Sequence, residues 1–482
     1  MTSTVSQPIQ ALMDASGVRF GTSGARGLAA DMTAPVCFAY SAAFLQVVGA
    51  PAAGRVALGM DLRPSSPAIA AACAAAIRAA GLAVDFCGVL PTPALAFYAQ
   101  EQGIPAIMVT GSHIPFDRNG IKFYRAEGEI TKADEAGIAS ATVAVPAGLD
   151  PAPLPAVNPA AVAGYLARYR DFFPAQVLAG MRLGFYEHSS VARDLLKTLL
   201  EALGAQVTSL GRTDQFVPID TEAVSPEDAE RARAWSAEFG FDALLSTDGD
   251  ADRPLIGDER GEWLRGDVVG ILTAQYLGAK AVATPVSSNT ALEQCGAFDA
   301  VARTRIGSPY VIAGMEQLAA AGAGQVVGFE ANGGFLVGNA IEKAGRALAP
   351  LPTRDAVLPI LALLAMARER GVPLSALAAG LPPRFTASDR LQHFATENSR
   401  ALLAELSGSE AALAAFLAPL GRAAARRDQT DGLRITLADG DILHLRPSGN
   451  APELRCYAEA ASQDRANALA QAGLARVRSY SA

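Results

Sequence analysis

The segment TDGDADR, residues 247–253, carries three carboxylates, Asp248, Asp250 and Asp252, with the small residues Gly249 and Ala251 between them. In an extended loop, residues two apart point the same way, so the three carboxylates converge while the small spacers let the backbone curl around an ion. All-oxygen ligation with few protein ligands suits a hard cation, and Mg²⁺ is the natural choice. An EF-hand does not fit: Glu259 falls at the twelfth position from Asp248, but Arg253 replaces the required Gly at the sixth and Pro254 follows. A strand leading to Asp-x-Asp also describes an aspartate-nucleophile phosphatase, so this loop alone leaves two chemistries open.

The segment TGSHIPFDRNGIKFY, residues 110–124, separates them. Ser112 follows Gly111 just past an apolar run, where a turn exposes its hydroxyl and the small neighbour admits a phosphate. Asn119 and Gly120 are expected to form a turn that brings Lys122 back toward the serine. A serine that accepts a phosphoryl group needs a cation and a positive clamp; the carboxylate loop supplies the first, and Lys122 belongs to the second. His113 is expected to orient the serine loop rather than act as base, because neighbours on an extended chain point oppositely.

Three further segments have compatible chemistry. FGTSGARG, residues 20–27, ends a Gly-rich turn with Arg26, an anion contact. GFEANGG, residues 328–334, places Glu330 and Asn332 two apart, a carboxylate and an amide that suit the vicinal hydroxyls of a sugar. RPSGNAPELR, residues 446–455, surrounds a Ser448-Gly449-Asn450 turn with Arg446 and Arg455, a phosphate cradle built without a P-loop.

The elements that must position these loops follow one pattern. AIMV runs into TGSHIP, ALLS into TDGDADR, QVVG into FEANGG and ILHL into RPSGN, so four apolar strands each end in a short polar loop. In open α/β sheets, ligands bind outside the carboxyl ends of strands, and four such loops can converge on one cleft. Strand-like runs alternate with Ala-rich helical stretches through three units of similar style, with a Pro-rich connector at 145–160. After the Pro382-Pro383 break, RITL and DILHL around ADGD read as a hairpin within a smaller α+β unit. The 482 residues accommodate three or four domains.

Composition bounds the partners. With 40 Lys+Arg against 48 Asp+Glu the net charge is -8, so no global positive field gathers nucleic acid, although a local basic pocket can still hold a small anion. The five cysteines form no Cys-x-x-Cys pair and read as buried thiols of a reducing, cytoplasmic compartment. The apolar stretch 357–367 stops at Arg368, too short to span a bilayer, so no membrane partner is expected.

Together, the five segments in this order resemble the α-D-phosphohexomutase superfamily, the phosphomannomutases and phosphoglucomutases, over nearly the whole chain. The resemblance implies three related α/β domains of mixed sheet plus a smaller C-terminal α+β domain around a central cleft, drawn at 1–153, 154–257, 258–372 and 373–482. It implies Ser112 as the phosphoserine, and Asp248, Asp250 and Asp252 as Mg²⁺ ligands together with a phosphoserine oxygen. Arg26, Lys122 and Arg253 would line the centre, with His113 beside the serine. Glu330 and Asn332 would grip the sugar, while Arg446, Ser448, Gly449, Asn450 and Arg455 would hold the non-reacting phosphate. The sequence departs from the family pattern at Gly111 (usually Ala), Ile114 (usually Asn) and Asn450-Ala451 (usually Thr-Glu). The implied activity is that of a phosphomannomutase, a monomer or homodimer using a hexose 1,6-bisphosphate as intermediate and activator. A phosphoglucomutase or bispecific mutase, a Mg²⁺-dependent phosphatase and a non-turning sugar-phosphate binder are the alternatives.

Overall fold

A computed structural model describes residues 3–21, 24–49, 51–448 and 453–480. Gly449 and Asn450, expected in the phosphate cradle, lie outside the described residues. Three α/β units follow one another, each built on parallel strands with one antiparallel return. In the first, Ala83–Val89, Arg55–Met60 and Ala106–Val109 run parallel; Arg118–Arg125 and then Ala25–Leu28 add antiparallel. In the second, Gln206–Leu210, Arg182–Tyr186 and Ala243–Thr247 are parallel and Pro254–Gly257 returns. The third repeats this with Ala300–Thr304, Ala281–Pro285 and Val326–Phe329, returned by Phe335–Val337 and followed by Leu351–Asp355. The fourth unit is a five-stranded antiparallel sheet in the order Phe385–Leu391, Leu454–Ala460, Ile442–Pro447, Leu433–Leu437, Ala424–Asp428, closed by the helix Gln463–Tyr480.

The strands that end in the chemical loops are apolar throughout because helices or loops cover both faces: AIMV, VVGF and the ALLST strand are buried at every position. Each of these loops connects the last parallel strand to its antiparallel return, with Val109 registered opposite Ile121, Thr247 opposite Pro254 and Phe329 opposite Phe335. Pro447 opposite Leu454 repeats the arrangement in the fourth unit. Hairpin register therefore fixes where each loop sits.

Packing divides the molecule unevenly. One apolar core runs continuously through the first three units, from Met108 through Tyr169 and Leu245 to Phe329 and the wholly buried helix segment around Leu361. The fourth unit has its own core, with Leu403, Phe416, Leu433 and Val477. At the junction of the first three, the hydroxyls of Tyr165 (2.7 Å) and Tyr169 donate to the buried Asp355, whose Oδ1 also accepts the N–H of Val357 at the start of the helix Val357–Arg370. All five cysteines are free and four of them are buried. Among the described residues no single helix is long and apolar enough to cross a membrane.

Asn119 and Gly120 do not form the expected turn. Both lie in the strand Arg118–Arg125, and the chain turns earlier, where the Arg118 N–H donates to Pro115 O at 3.1 Å. Lys122 reaches Asp250 and Asp252 from within this strand, not because a turn folds it back.

Candidate active site

Ser112 is fully buried and sits in the left-handed region at φ 53°. Its Oγ donates to Asp248 Oδ2 at 2.6 Å, joining the first unit's loop to the second's. Asp248, Asp250 and Asp252 are all buried, with ligand oxygens within 4.8 Å of one another. The carboxylate loop is tight: Asp248 Oδ1 accepts the N–H groups of Asp252 (3.1 Å) and Arg253 (3.2 Å), and Ala251 takes φ 55° to close it. Thr92, which opens the helix Thr92–Gln102, holds Asp250 from the first unit through its hydroxyl (2.6 Å) and its N–H (3.0 Å to the carbonyl).

Cations surround these acids. Lys122 Nζ lies 2.7 Å from both Asp250 Oδ2 and Asp252 Oδ2. Arg354, at the end of the strand Leu351–Asp355, reaches Asp252 Oδ2 at 2.9 Å and Glu330 Oε2 at 3.0 Å. Arg253 Nε lies 3.5 Å from Asp252 Oδ1. Burial and the neighbouring Asp250 and Asp252 push the Asp248 carboxyl well above its ordinary range. Burial and Asp252 also press on Asp250, but Lys122 and the Thr92 hydroxyl outweigh them and hold it below. Asp252 is held lower still: Arg354, Lys122 and Arg253 overcome its burial. Burial, with Arg253 and Arg354 nearby, brings the half-buried Arg26 down to about 10.

The donor set fits a hard divalent cation. Asp250 Oδ1 and Asp252 Oδ1 are buried with no hydrogen-bond partner, and the three acids crowd one another strongly enough to drive Asp248 toward its neutral form. A cation relieves both conditions with the oxygen ligands it prefers.

His113 departs from the expectation that it would point away from Ser112. The positive φ at Ser112 turns the chain so that His113 Nδ1 lies 3.3 Å from Ser112 Oγ, while its Nε2 lies 3.5 Å from Arg253 Nη1. Burial, then Arg253 and Arg26, press its pKa well below the usual imidazole value, so the ring is neutral. Glu330 is brought to the centre through Arg354. The Asn332 side-chain oxygen accepts the Gly334 N–H at 2.9 Å, which leaves its NH₂ as the group free to donate outward.

In the fourth unit, Arg446 and Arg455 stand directly opposite on paired strands, and Arg390 is opposite Arg455 on the next. Three guanidinium groups in one row make a basic edge at the mouth of the Ser448 turn. Arg446 Nε pairs with Asp431 at 2.9 Å. Glu222 falls under the electrostatic influence of both Arg455 and Arg253, which relates this edge to the centre; burial and Asp220 raise its pKa.

Two residues absent from the sequence reading shape the site. Arg63 is fully buried and donates to four backbone carbonyls of the serine segment: Ser112 (3.0 Å), Ile114 (2.6 Å), Pro115 (2.7 Å) and Arg118 (2.9 Å). Asp61 accepts the Gly111 N–H and pairs with Arg63 at 3.3 Å. In this chain Arg63 packs directly on Gly111, where a Cβ would lie 2.5 Å from the guanidinium. Arg354 is the second. The signal for Arg63 was a charged residue in an apolar α/β stretch, DLRPSSPAIA; Arg354 offered only a lone Arg-Asp pair after a strand.

Comparison with known proteins shows the family. Family models described as phosphoglucomutase/phosphomannomutase match the chain as alpha/beta/alpha domain I at residues 17–145, as alpha/beta/alpha domain III at 265–385 and as C-terminal domain at 396–475. A phosphomannomutase of Salmonella muenchen is 48% identical over 475 residues, covering 97% of each chain. One of Sinorhizobium fredii is 47% identical over 468 residues, 95% of this chain and 98% of that protein. The crystal structure of a putative phosphomannomutase from Thermus thermophilus has the same fold, with a TM-score of 0.73 at 21% identity, covering 97% of this chain and 98% of that one. The chain belongs to the phosphoglucomutase/phosphomannomutase family of the α-D-phosphohexomutase superfamily.

Proposed function

We propose that this phosphohexomutase interconverts mannose 6-phosphate and mannose 1-phosphate through phosphorylated Ser112 and a hexose 1,6-bisphosphate. The observation that carries the reading is the 2.6 Å contact between Ser112 Oγ and Asp248 within a buried triad of carboxylates clamped by Lys122, Arg253 and Arg354. The mannose assignment is supported by two relatives named phosphomannomutase at 48% and 47% identity.

Asp248, Asp250 and Asp252, with Ser112, would hold Mg²⁺, which when bound supplies electrostatic stabilisation of the transferring phosphoryl oxygens. Lys122, Arg26 and Arg253 hold those oxygens in line with Ser112. Phosphoserine gives its phosphoryl group to a hexose monophosphate hydroxyl, whose proton is lost as the new P–O bond forms. The P–Oγ bond breaks as that bond forms, and the freed serine oxygen, beside neutral His113, ends as the Ser112 hydroxyl. Glu330 and the Asn332 NH₂ grip the sugar hydroxyls, and Arg446, Ser448, Gly449, Asn450 and Arg455 take the distal phosphate. The bisphosphate turns over, returns its other phosphoryl group to Ser112, and leaves with the phosphate moved. The separate core of the fourth unit suits it to swing over the cleft and exclude water from the phosphoenzyme. The domain division at 1–153, 154–257, 258–372 and 373–482 accords with the four main sheets. A cytoplasmic setting accords with five free cysteines.

The test compares kcat/KM for mannose 1-phosphate and glucose 1-phosphate with catalytic hexose 1,6-bisphosphate. A ratio favouring mannose is expected; a strong glucose preference overturns the substrate while leaving the mutase. Intact mass should show one phosphate, lost in Ser112→Ala; a chain that never carries it is a phosphatase or a binder.

A further inference from the structure

A second gathering of guanidinium groups lies at the seam between the third and fourth units, away from the residues assigned to the reaction. A cavity of about 310 Å³ opens there, lined by Thr290, Glu293 and Arg303 of the third unit and by Arg426, Asp428 and Arg434 of the fourth. Arg434 is only 7% exposed, yet its side chain forms no hydrogen bond and no ion pair with any described residue. None of its guanidinium nitrogens is sealed in the core without a partner; the group opens onto the cavity, where its five donors can be met by a bound anion.

The neighbours explain why no side chain does this. Arg303 is consumed by Glu293, at 2.8 Å through both Nε and Nη2, and by the carbonyls of Pro285, Ser288 and Asn289. Asp428 Oδ1 accepts the Thr430 N–H at 2.8 Å. Glu459, the other acid near Arg434, takes the hydroxyl and N–H of Thr290 and the Arg384 Nε. Arg426 is exposed and likewise makes no hydrogen bond or ion pair among the described residues. Burial, followed by repulsion from Arg303, depresses the Arg434 pKa, and Arg426 adds to that repulsion. Strand pairing holds the arrangement, since Asp428 is registered opposite Arg434 and Arg426 opposite Thr436.

We propose that this cavity is a binding site for a phosphate-type oxyanion, received by Arg434 and Arg426 where they face the third unit, and separate from the site around Ser112. Two guanidinium donors without acceptors match the tetrahedral oxygens of a phosphate or phosphomonoester.

Equilibrium dialysis of radiolabelled inorganic phosphate against the full chain tests this, in a Ser112→Ala, Arg455→Gln background that prevents transfer and weakens the active-site cradle. One saturable phosphate per chain is expected to remain. Arg434→Gln should weaken it about 10-fold or more, and Arg426→Gln, at an exposed position that leaves folding intact, by about 3-fold. Displacement by glycerol 2-phosphate supports a phosphomonoester as the ligand, and its failure to displace supports the free ion. Absence of saturable binding in this background, or binding that neither variant changes, overturns the proposal.

Discussion

The serine loop of the first unit and the sugar loop of the third are both hairpin connections, and each has an arginine packed on a glycine, but the two arginines hold different things. Arg63 binds four main-chain carbonyls around Ser112, whereas Arg354 binds side chains, Asp252 on one side and Glu330 on the other. Main-chain clamping fixes the shape of a loop whatever side chains it carries. Side-chain clamping leaves the loop to its own turn and aims individual groups. On the proposed cycle, the first arrangement suits a serine that must return to one place at every turnover, and the second connects Glu330, proposed to grip the sugar, to the carboxylate Asp252.

The sharpest way to break this comparison is Arg63→Ala. It strands four buried carbonyls and Asp61, and is expected to cost about 3–5 kcal/mol in urea denaturation with loss of phosphoserine by intact mass. Arg354→Met should act the other way round. Asp252 keeps Lys122 at 2.7 Å, so stability should fall by no more than about 2 kcal/mol, while kcat/KM drops roughly 10²–10³-fold. Equal losses of stability in the two variants would erase the distinction. Adding a methyl group to each glycine refines it. Gly111→Ala sets a Cβ 2.5 Å from the immobile Arg63 guanidinium, and should destabilise by about 1–3 kcal/mol; Gly334→Ala meets Arg354 Cδ at 2.7 Å on a chain that can shift, costing less stability and about 10-fold in kcat/KM. The smallest effect is expected for Asn332→Ser. A hydroxyl can still accept the Gly334 N–H, so only the mannose-to-glucose ratio of kcat/KM should move, by a few-fold.

The loops themselves were legible in the sequence because their chemistry is local. Asp248, Asp250 and Asp252 sit within five residues, and a spacing of two carries their convergence with it. The strands before them were legible because burial on both faces leaves an unbroken apolar run. What stayed hidden depends on distant partners or on single backbone angles. Arg354 lies 102 residues from Asp252, and no pattern in either segment names the other. The place of His113 turned on one positive φ at Ser112, which the TGSH segment does not announce. The misplaced turn at Asn119-Gly120 arose because a dipeptide common in hairpin turns here continues a strand, where the Asn119 side chain bonds Ser65 and Ser66 instead.

The separations in the contacts around Ser112 also order events during synthesis. The hydrogen bond from Ser112 to Asp248 spans 136 residues, and the Lys122 contacts span 128 and 130. On a ribosome, the serine leaves the exit tunnel well before its carboxylate partners are made, a delay on the order of ten seconds at ordinary elongation rates. During that interval Ser112 has neither its acid partners nor the Arg354 that reaches them. On the proposed mechanism, the first phosphorylation of each molecule follows the joining of the first two units at Ser112 and Asp248.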